Sequence, residues 1–152
     1  MAKPPPQKLA DIHSLLRYVP WGKLLKAEDG ETVLGLLGIA FELRAGEEYL
    51  SATWVEHFDN DPDLGNAAHQ AVRAVRSSAL KVTTKSGFTC GSISQIRSAC
   101  ADRSAKVRFL HEPAKDNPAH AALRHWPEDA LLYDRLAERD WADWFLNKDV
   151  PS

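Results

Sequence analysis

The chain has 152 residues, a formal net charge of -2 and a hydrophobic content of 44%, which are ordinary values for one globular domain. This near-balanced charge argues against nucleic acid or a membrane surface as a partner, since both attract strongly basic proteins. No apolar run reaches the length of a membrane span. Two cysteines, Cys90 and Cys100, are too few for a disulfide framework, so we expect reduced thiols and a cytoplasmic protein.

The N-terminal part of the chain predicts a tail, a short helix and a buried strand. Residues 1–10 are rich in proline and lysine, so we expect a flexible tail and a single folded domain over 11–148. Apolar residues at helical spacing predict a short helix over 12–17, and Pro20 favours extended backbone before it. The apolar run 33–43 contains two glycines, which weaken a helix, and therefore predicts one or two buried strands.

A strand and a helix are then expected to meet. Tyr49 and Leu50 are expected to end a strand, and Ser51 has the chemistry of a helix N-cap. The helix that follows would place Trp54 and Val55 on its apolar face. Several polar side chains gather at this junction, which makes it the stretch most typical of a functional site.

The second half of the chain mixes helices and strands without strict alternation. Helices are expected over 66–79, 93–101 and 128–146, and strands over 80–84, 88–92 and 106–111. The last helix would carry Trp141 and Trp144 on one stripe, which suits either packing across the sheet or docking to a partner. We therefore predict an α+β fold, in which a small mixed sheet packs with three to four helices and the C-terminal helix is rich in tryptophan.

Two short segments resemble a known family. Leu16 to Pro20 and Tyr49 to Ser51, followed by Glu56, resemble the Arg, Glu and Ser layout of the RES-type toxins. Those toxins are ADP-ribosyltransferase-like proteins that consume NAD. The Gly-Gly-Arg-Trp-type loop of that family is absent between the two segments, and only Ser92 and Ser94 are candidates for its third motif serine.

A second resemblance spans most of the chain. A group of small uncharacterised bacterial proteins pairs an early arginine with Ala-Phe, Leu-Ser, His-x-Pro and Asn-Pro-x-His segments. In this chain they are Arg17, Ala40-Phe41, Leu50-Ser51, His111 to Pro113 and Asn117 to His120. The resemblance implies one shared site of Arg17, Ser51 and His120, without implying a reaction. The last segment also suits a simple turn, in which His120 bonds to its own backbone.

Two functional hypotheses follow. The first is an ADP-ribosyltransferase-like or NAD-cleaving enzyme of a bacterial toxin or antiviral defence system, for which NAD is a substrate and no cofactor is needed. Its catalytic residues would be Arg17, Ser51, Glu56 and His120, and its binding residues Tyr18 and Asn117. The second is a non-catalytic accessory subunit of a multi-protein defence system, which docks a larger protein through Trp141 and Trp144.

The chemistry of the first hypothesis suits these residue types. An arginine can clamp a pyrophosphate with parallel hydrogen bonds, and a carboxylate can stabilise the positive charge that develops on a ribose. The same residues also have ordinary structural roles, because Ser51 can cap a helix and Arg17 can pair with a surface acid.

Metal, nucleic-acid and thiol sites are not expected. The chain lacks the Cys-x-x-Cys and His-Glu-x-x-His spacings of zinc sites. The acidic run 59–65 begins like a calcium loop but contains a proline and a misplaced glycine, so a solvated turn is expected. The basic residues of the middle third favour a solvated face, and both cysteines favour buried, inert thiols.

Overall fold

The computed structural model describes residues 5–58 and 64–152. Within them, the strands are β1 (Gln7–Lys8), β2 (Ser14–Val19), β3 (Leu24–Lys26), β4 (Val33–Leu36), β5 (Tyr49–Trp54), β6 (Gly87–Ser92), β7 (Arg108–His111), β8 (His120–Arg124) and β9 (Asp143–Leu146). The α-helices are α1 (Leu64–Arg76), α2 (Ile93–Asp102) and α3 (Ala130–Arg135). Residues 59–63, which belong to the acidic run predicted as a solvated turn, lie outside the described residues.

Seven of the strands form one sheet in the order β1-β7-β8-β5-β2-β6-β9, and β3 and β4 form a separate hairpin. The α+β class is confirmed. Every strand pair of the described residues is antiparallel, whereas the sequence predicted a mixed sheet. Short connections between neighbouring strands favour antiparallel pairing, because a parallel pair needs a long crossover.

The two central strands of the sheet pair over a short distance only. β2 and β5 are joined at Leu15–Trp54 and Leu16–Thr53, whereas β2 pairs with β6 from Ser14 to Val19 and β5 pairs with β8 from Tyr49 to Thr53. Beyond Leu16 the two strands separate, so the sheet has an opening between its central strands. The candidate site lies at this opening.

Apolar clusters cover both faces of the sheet. Leu15 belongs to the larger cluster, in which Phe41 and Trp141 pack with residues of α2 and α3. Leu16 belongs to the smaller cluster, in which Val72 and other residues of α1 pack against the opposite face. Neighbouring residues of one strand are therefore both buried, because successive side chains of a strand point to opposite faces.

Two segments that were predicted as helical are strands. The segment 12–17 mostly forms β2, and Ser51 lies inside β5 instead of capping a helix. Only the 3-10 turn Val55–Phe58 follows β5. A strand that is buried on both faces lacks the alternation that marks a half-buried strand, which explains the error at β2.

The predicted flexible tail is part of the fold where it is described. Gln7–Lys8 pairs with β7, and the next residue, Leu9, is buried. The described part of the segment is extended and anchored by the buried side chain of Leu9, although its composition is typical of a tail. The predicted helices over 66–79 and 93–101 are confirmed as α1 and α2.

The predicted tryptophan-rich helix over 128–146 is not formed. α3 is followed by a π-helical turn at Leu136–Asp140, and the chain then extends into the edge strand β9. Trp141 lies just after the π-helical turn and Trp144 lies in β9. The predicted strand over 80–84 is a loop. Among the described residues, no helix has the length and apolar character needed to cross a bilayer.

Candidate functional site

A cleft of about 240 Å³ lies at the opening between β2 and β5. Most of the residues predicted for the site line this cleft: Arg17, Tyr18, Ser51, Asn117 and His120. They come from β2, β5, β8 and the loop before β8, so residues far apart in sequence converge. The cleft therefore brings together Arg17, Ser51 and His120, the three residues that the second resemblance implies for one site.

Arg17 bridges the opening in the sheet. Its Nε donates to the carbonyl oxygen of Ala40 at 2.8 Å, and its Nη1 donates to the carbonyl oxygen of Ser51 at 2.6 Å. Burial lowers the pKa of Arg17 to about 10, an effect that Glu47 opposes and Arg44 adds to. Among the described residues, no carboxylate forms an ion pair with Arg17. Neutral carbonyls hold this guanidinium, so its positive charge is not neutralised by them.

Two further basic side chains line the cleft, Lys23 and Arg44. Burial lowers the pKa of Lys23, and the nearby positive charges of Arg17 and Arg44 lower it further.

Two carboxylates also line the cleft, and both are engaged by backbone groups. Glu47 accepts a hydrogen bond from the backbone N–H of Arg44 at 2.6 Å, and Asp116 accepts one from Ala79 at 2.7 Å. Three basic and two acidic side chains leave one net positive charge before histidine is counted. The cleft is suited to an anion.

Ser51 and His120 form a hydrogen-bonded pair. Ser51 Oγ lies 3.2 Å from His120 Nε2, and His120 Nδ1 lies 2.9 Å from the carbonyl oxygen of Glu112. Strand register brings the pair together, because Thr53 lies opposite His120 and Ser51 is two residues away on the same face. The rings of His120 and Tyr49 pack edge to face, with their centroids 5.6 Å apart.

Asn117 holds the loop that leads to His120. Its Nδ2 donates to Thr53 Oγ1 at 3.0 Å, and its Oδ1 accepts from the backbone N–H of Ala119 at 3.0 Å. The side chain of Asn117 is buried, so these bonds fix the loop against β5. Asn117 therefore positions this loop, and because it also lines the cleft, its role in ligand binding stays a prediction.

Glu56 lies outside the cleft, contrary to the predicted set. It belongs to the 3-10 turn after β5 and accepts a hydrogen bond from the backbone N–H of Ser14 at 2.6 Å. The prediction placed Glu56 about one turn into a helix that begins at Ser51. Because β5 is extended, Glu56 is carried away from Ser51 instead.

The tryptophans predicted for docking do not form an exposed surface. Trp141 is fully buried, its ring stacks on Phe41 with centroids 5.0 Å apart, and its Nε1 donates to the carbonyl oxygen of Leu15. Trp144 is half-buried in the edge strand β9. Trp141 is a core residue, so the docking surface that was built on it is wrong.

Some site residues could not be found from the sequence. Lys23 and Arg44 flank the β3–β4 hairpin at opposite ends, and no motif connects them to Arg17. Glu112 contributes its backbone carbonyl, which any residue would supply. Among the described residues, no group of three His, Cys, Asp or Glu side chains is arranged to hold a metal ion.

Comparisons with protein-family models, curated proteins and solved structures find no match to this chain. The resemblances to the RES-type toxins and to the small bacterial group therefore stay predictions.

Proposed function

We propose that this protein is an enzyme that binds a small phosphate-bearing molecule in the cleft between β2 and β5. The observation that carries the proposal is Arg17, a partly buried guanidinium that two carbonyls hold and that has no carboxylate partner among the described residues. A charge taken out of water is costly unless it is paired. An anionic ligand would pair it.

Phosphate suits the residue types that converge in the cleft. Arginine offers a planar set of N–H donors that matches two phosphate oxygens, and lysine adds a point charge. Arg17, Lys23 and Arg44 come from three different segments, so together they can contact several oxygens of one group. Both acids of the cleft accept backbone N–H bonds, and neither forms an ion pair with Arg17, Lys23 or Arg44 among the described residues.

The size of the cleft bears on the NAD hypothesis. Ligand pockets usually enclose about 300–1,000 Å³, and this cleft, at about 240 Å³, is slightly smaller. It suits a mononucleotide-sized group, so NAD would enter with one half while its pyrophosphate meets Arg17. NAD stays a candidate substrate, supported by Arg17 and Ser51 but no longer by Glu56. A role in a toxin or defence system rests on the resemblance to the RES-type toxins alone.

A thermal-shift titration with inorganic phosphate, ADP-ribose and NAD tests this proposal. A ligand that binds only the folded chain stabilises it by about 2.7 kcal/mol at 100 times its Kd, which raises the midpoint by about 5–10 °C. We expect Arg44→Ala and Lys23→Ala to reduce the rise, because each removes a charge from the cleft. Added salt should also weaken binding, since screening reduces the attraction.

Phosphate also stabilises proteins by exclusion from their surface, without a site. The part of the rise that Arg44→Ala removes therefore measures binding in the cleft. Arg139→Ala is the matched control, because Arg139 is an exposed arginine of the π-helical turn, outside the cleft. A rise that is equal in the wild type, Arg44→Ala and Arg139→Ala, or no rise with any of the three ligands, would overturn the proposal.

A further inference from the structure

We propose that Ser51 is a nucleophile, that His120 is its general base, and that the cleft transfers a phosphoryl group from a phosphate ester. This inference rests on the proposed function, because the basic side chains of the cleft must first hold the phosphate group.

The hydrogen bonds of His120 settle the direction of proton transfer. The carbonyl oxygen of Glu112 can only accept, so His120 Nδ1 must carry the proton of that 2.9 Å bond. A neutral ring then has its lone pair on Nε2, which faces Ser51 Oγ at 3.2 Å. The hydroxyl of Ser51 therefore donates to the ring, which is the arrangement that activates a serine nucleophile.

The imidazole of His120 is held on several sides. His120 begins β8 and pairs with Thr53 of β5, and the ring of Tyr49 packs against it. Glu112, which supplies the orienting carbonyl, is itself fixed because its carboxylate accepts two hydrogen bonds from Arg124, at 2.6 Å and 2.8 Å. The carbonyl of Glu112 thus replaces the carboxylate that orients histidine in a Ser-His-Asp triad.

The positive charge lies beside the nucleophile. The Nη1 of Arg17 is 2.6 Å from the backbone carbonyl oxygen of Ser51, and both residues line the cleft. A phosphoryl group that reaches Ser51 Oγ would place its oxygens next to Arg17. Fixed positive charge at these oxygens stabilises the charge of the transition state, which is the main contribution to phosphoryl transfer.

The reaction that these residues support has two balanced steps. Ser51 Oγ forms a bond to phosphorus while the bond from phosphorus to the leaving oxygen breaks, and the hydroxyl proton passes to His120 Nε2 and then to the leaving oxygen. Water next attacks the phosphorus of the phosphoserine and gives a proton to His120 Nε2. The bond from phosphorus to Ser51 Oγ breaks, His120 passes the proton to Ser51 Oγ, and phosphate is released. The sum is the hydrolysis of a phosphate ester to an alcohol and inorganic phosphate.

Labelling of the full chain with an organic fluorophosphonate tests the nucleophile, because serine attack on its phosphorus releases fluoride and leaves a stable adduct. Mass spectrometry of the intact chain and of its peptides should show one adduct, on Ser51. We expect Ser51→Ala to abolish it, His120→Gln to slow it by about 10²-fold or more, and excess inorganic phosphate to slow it by competition. Ser77→Ala, at an exposed serine in the turn after α1 and outside the cleft, is the control and should label like the wild type.

Labelling at wild-type rate in folded His120→Gln, or a chain whose adduct is absent or lies on another serine, would overturn the assignment. If His120→Gln does not fold, the wild-type adduct tests the nucleophile alone: an adduct on Ser51 supports the assignment, and an adduct on another serine overturns it. The thermal titration separates the two proposals. A phosphate-dependent rise without labelling at Ser51 leaves the binding site standing and removes the nucleophile, whereas failure of both removes both.

Discussion

Arg17 and Ser51 meet where the central strands stop pairing, with Arg17 Nη1 donating to the carbonyl oxygen of Ser51 at 2.6 Å. Buried backbone carbonyls need a donor, and at this opening the donor is a guanidinium rather than a neighbouring strand. The same side chain bonds to Ala40, in the 3-10 turn that covers the strand end. Arg17 therefore satisfies backbone carbonyls at the opening of the sheet and also gives the cleft a positive charge. Its contributions to stability and to binding must be measured separately.

Arg17→Ala should destabilise the fold as well as weaken anion binding. The change leaves the carbonyl oxygens of Ala40 and Ser51 without their donor, and an unsatisfied buried acceptor costs about 1–3 kcal/mol. We expect the free energy of unfolding in urea to fall by about 2–4 kcal/mol, and Arg17→Lys to recover part of the loss. Arg139→Ala should stay within about 0.5 kcal/mol of the wild type. An Arg17→Ala chain as stable as wild type would show that the strands close without this side chain.

The ion pair of Glu112 and Arg124 should make stability depend on pH. The hydrogen bond from Arg124 holds the pKa of Glu112 below its ordinary value of 4.5, although burial opposes this. Because the folded chain then binds fewer protons than the unfolded chain in this range, its stability is full above pH 4.5 and falls as pH drops through the folded pKa.

Glu112→Gln should remove that contribution, which we expect to be about 1 kcal/mol at neutral pH for a partly exposed bidentate pair. Urea unfolding of both chains between pH 7 and pH 3 measures it, and the two stabilities should converge in acid. Glu28→Gln, in an exposed turn, controls for the loss of one negative charge. A difference between wild type and Glu112→Gln that stays constant with pH would contradict the assignment.

The sequence predicted those elements that bury one face only, because their apolar residues then recur at a regular spacing. The helices α1 and α2 show apolar residues at helical spacing because each packs on the sheet from one side. β2 was misread because its neighbours Leu15 and Leu16 are buried in different clusters, so the strand has no polar face to reveal it.

The sequence predicted the cleft residues that belong to segments resembling other proteins. It missed the cleft residues that only the path of the folded chain brings there. Arg17, Ser51 and His120 were named from the sequence, and the structure places them around one cleft. Lys23 precedes the β3–β4 hairpin and Arg44 follows it. The folded path of this segment brings both residues to the cleft, and no local sequence pattern predicts that path. The role assigned to Glu56 depended on a helix that is not formed.

Mutation to alanine should lower the free energy of unfolding much more at Trp141 than at Trp144. Trp141→Ala empties a fully buried site against Phe41 and removes the donor to the carbonyl of Leu15, so we expect a loss of about 3–5 kcal/mol. Trp144→Ala removes a half-buried side chain of an edge strand and should cost about 1–2 kcal/mol. Urea unfolding of both variants measures the difference. Equal losses would contradict the placement of Trp141 in the core.

Both thiols should be inert in the folded chain. Burial raises the pKa of Cys90 to about 12, with Asp143 and Glu56 adding to the effect, and burial likewise raises that of Cys100 to about 12. The thiolate is the reactive form of cysteine, so these raised pKa values reduce the reactive fraction of both thiols at pH 8. A disulfide reagent at pH 8 should therefore react slowly with the native chain and rapidly in urea. Cys90→Ser and Cys100→Ser allow the reaction rate of each thiol to be measured separately. A thiol that reacts as fast in the native chain as in the unfolded chain would show that its surroundings open to solvent.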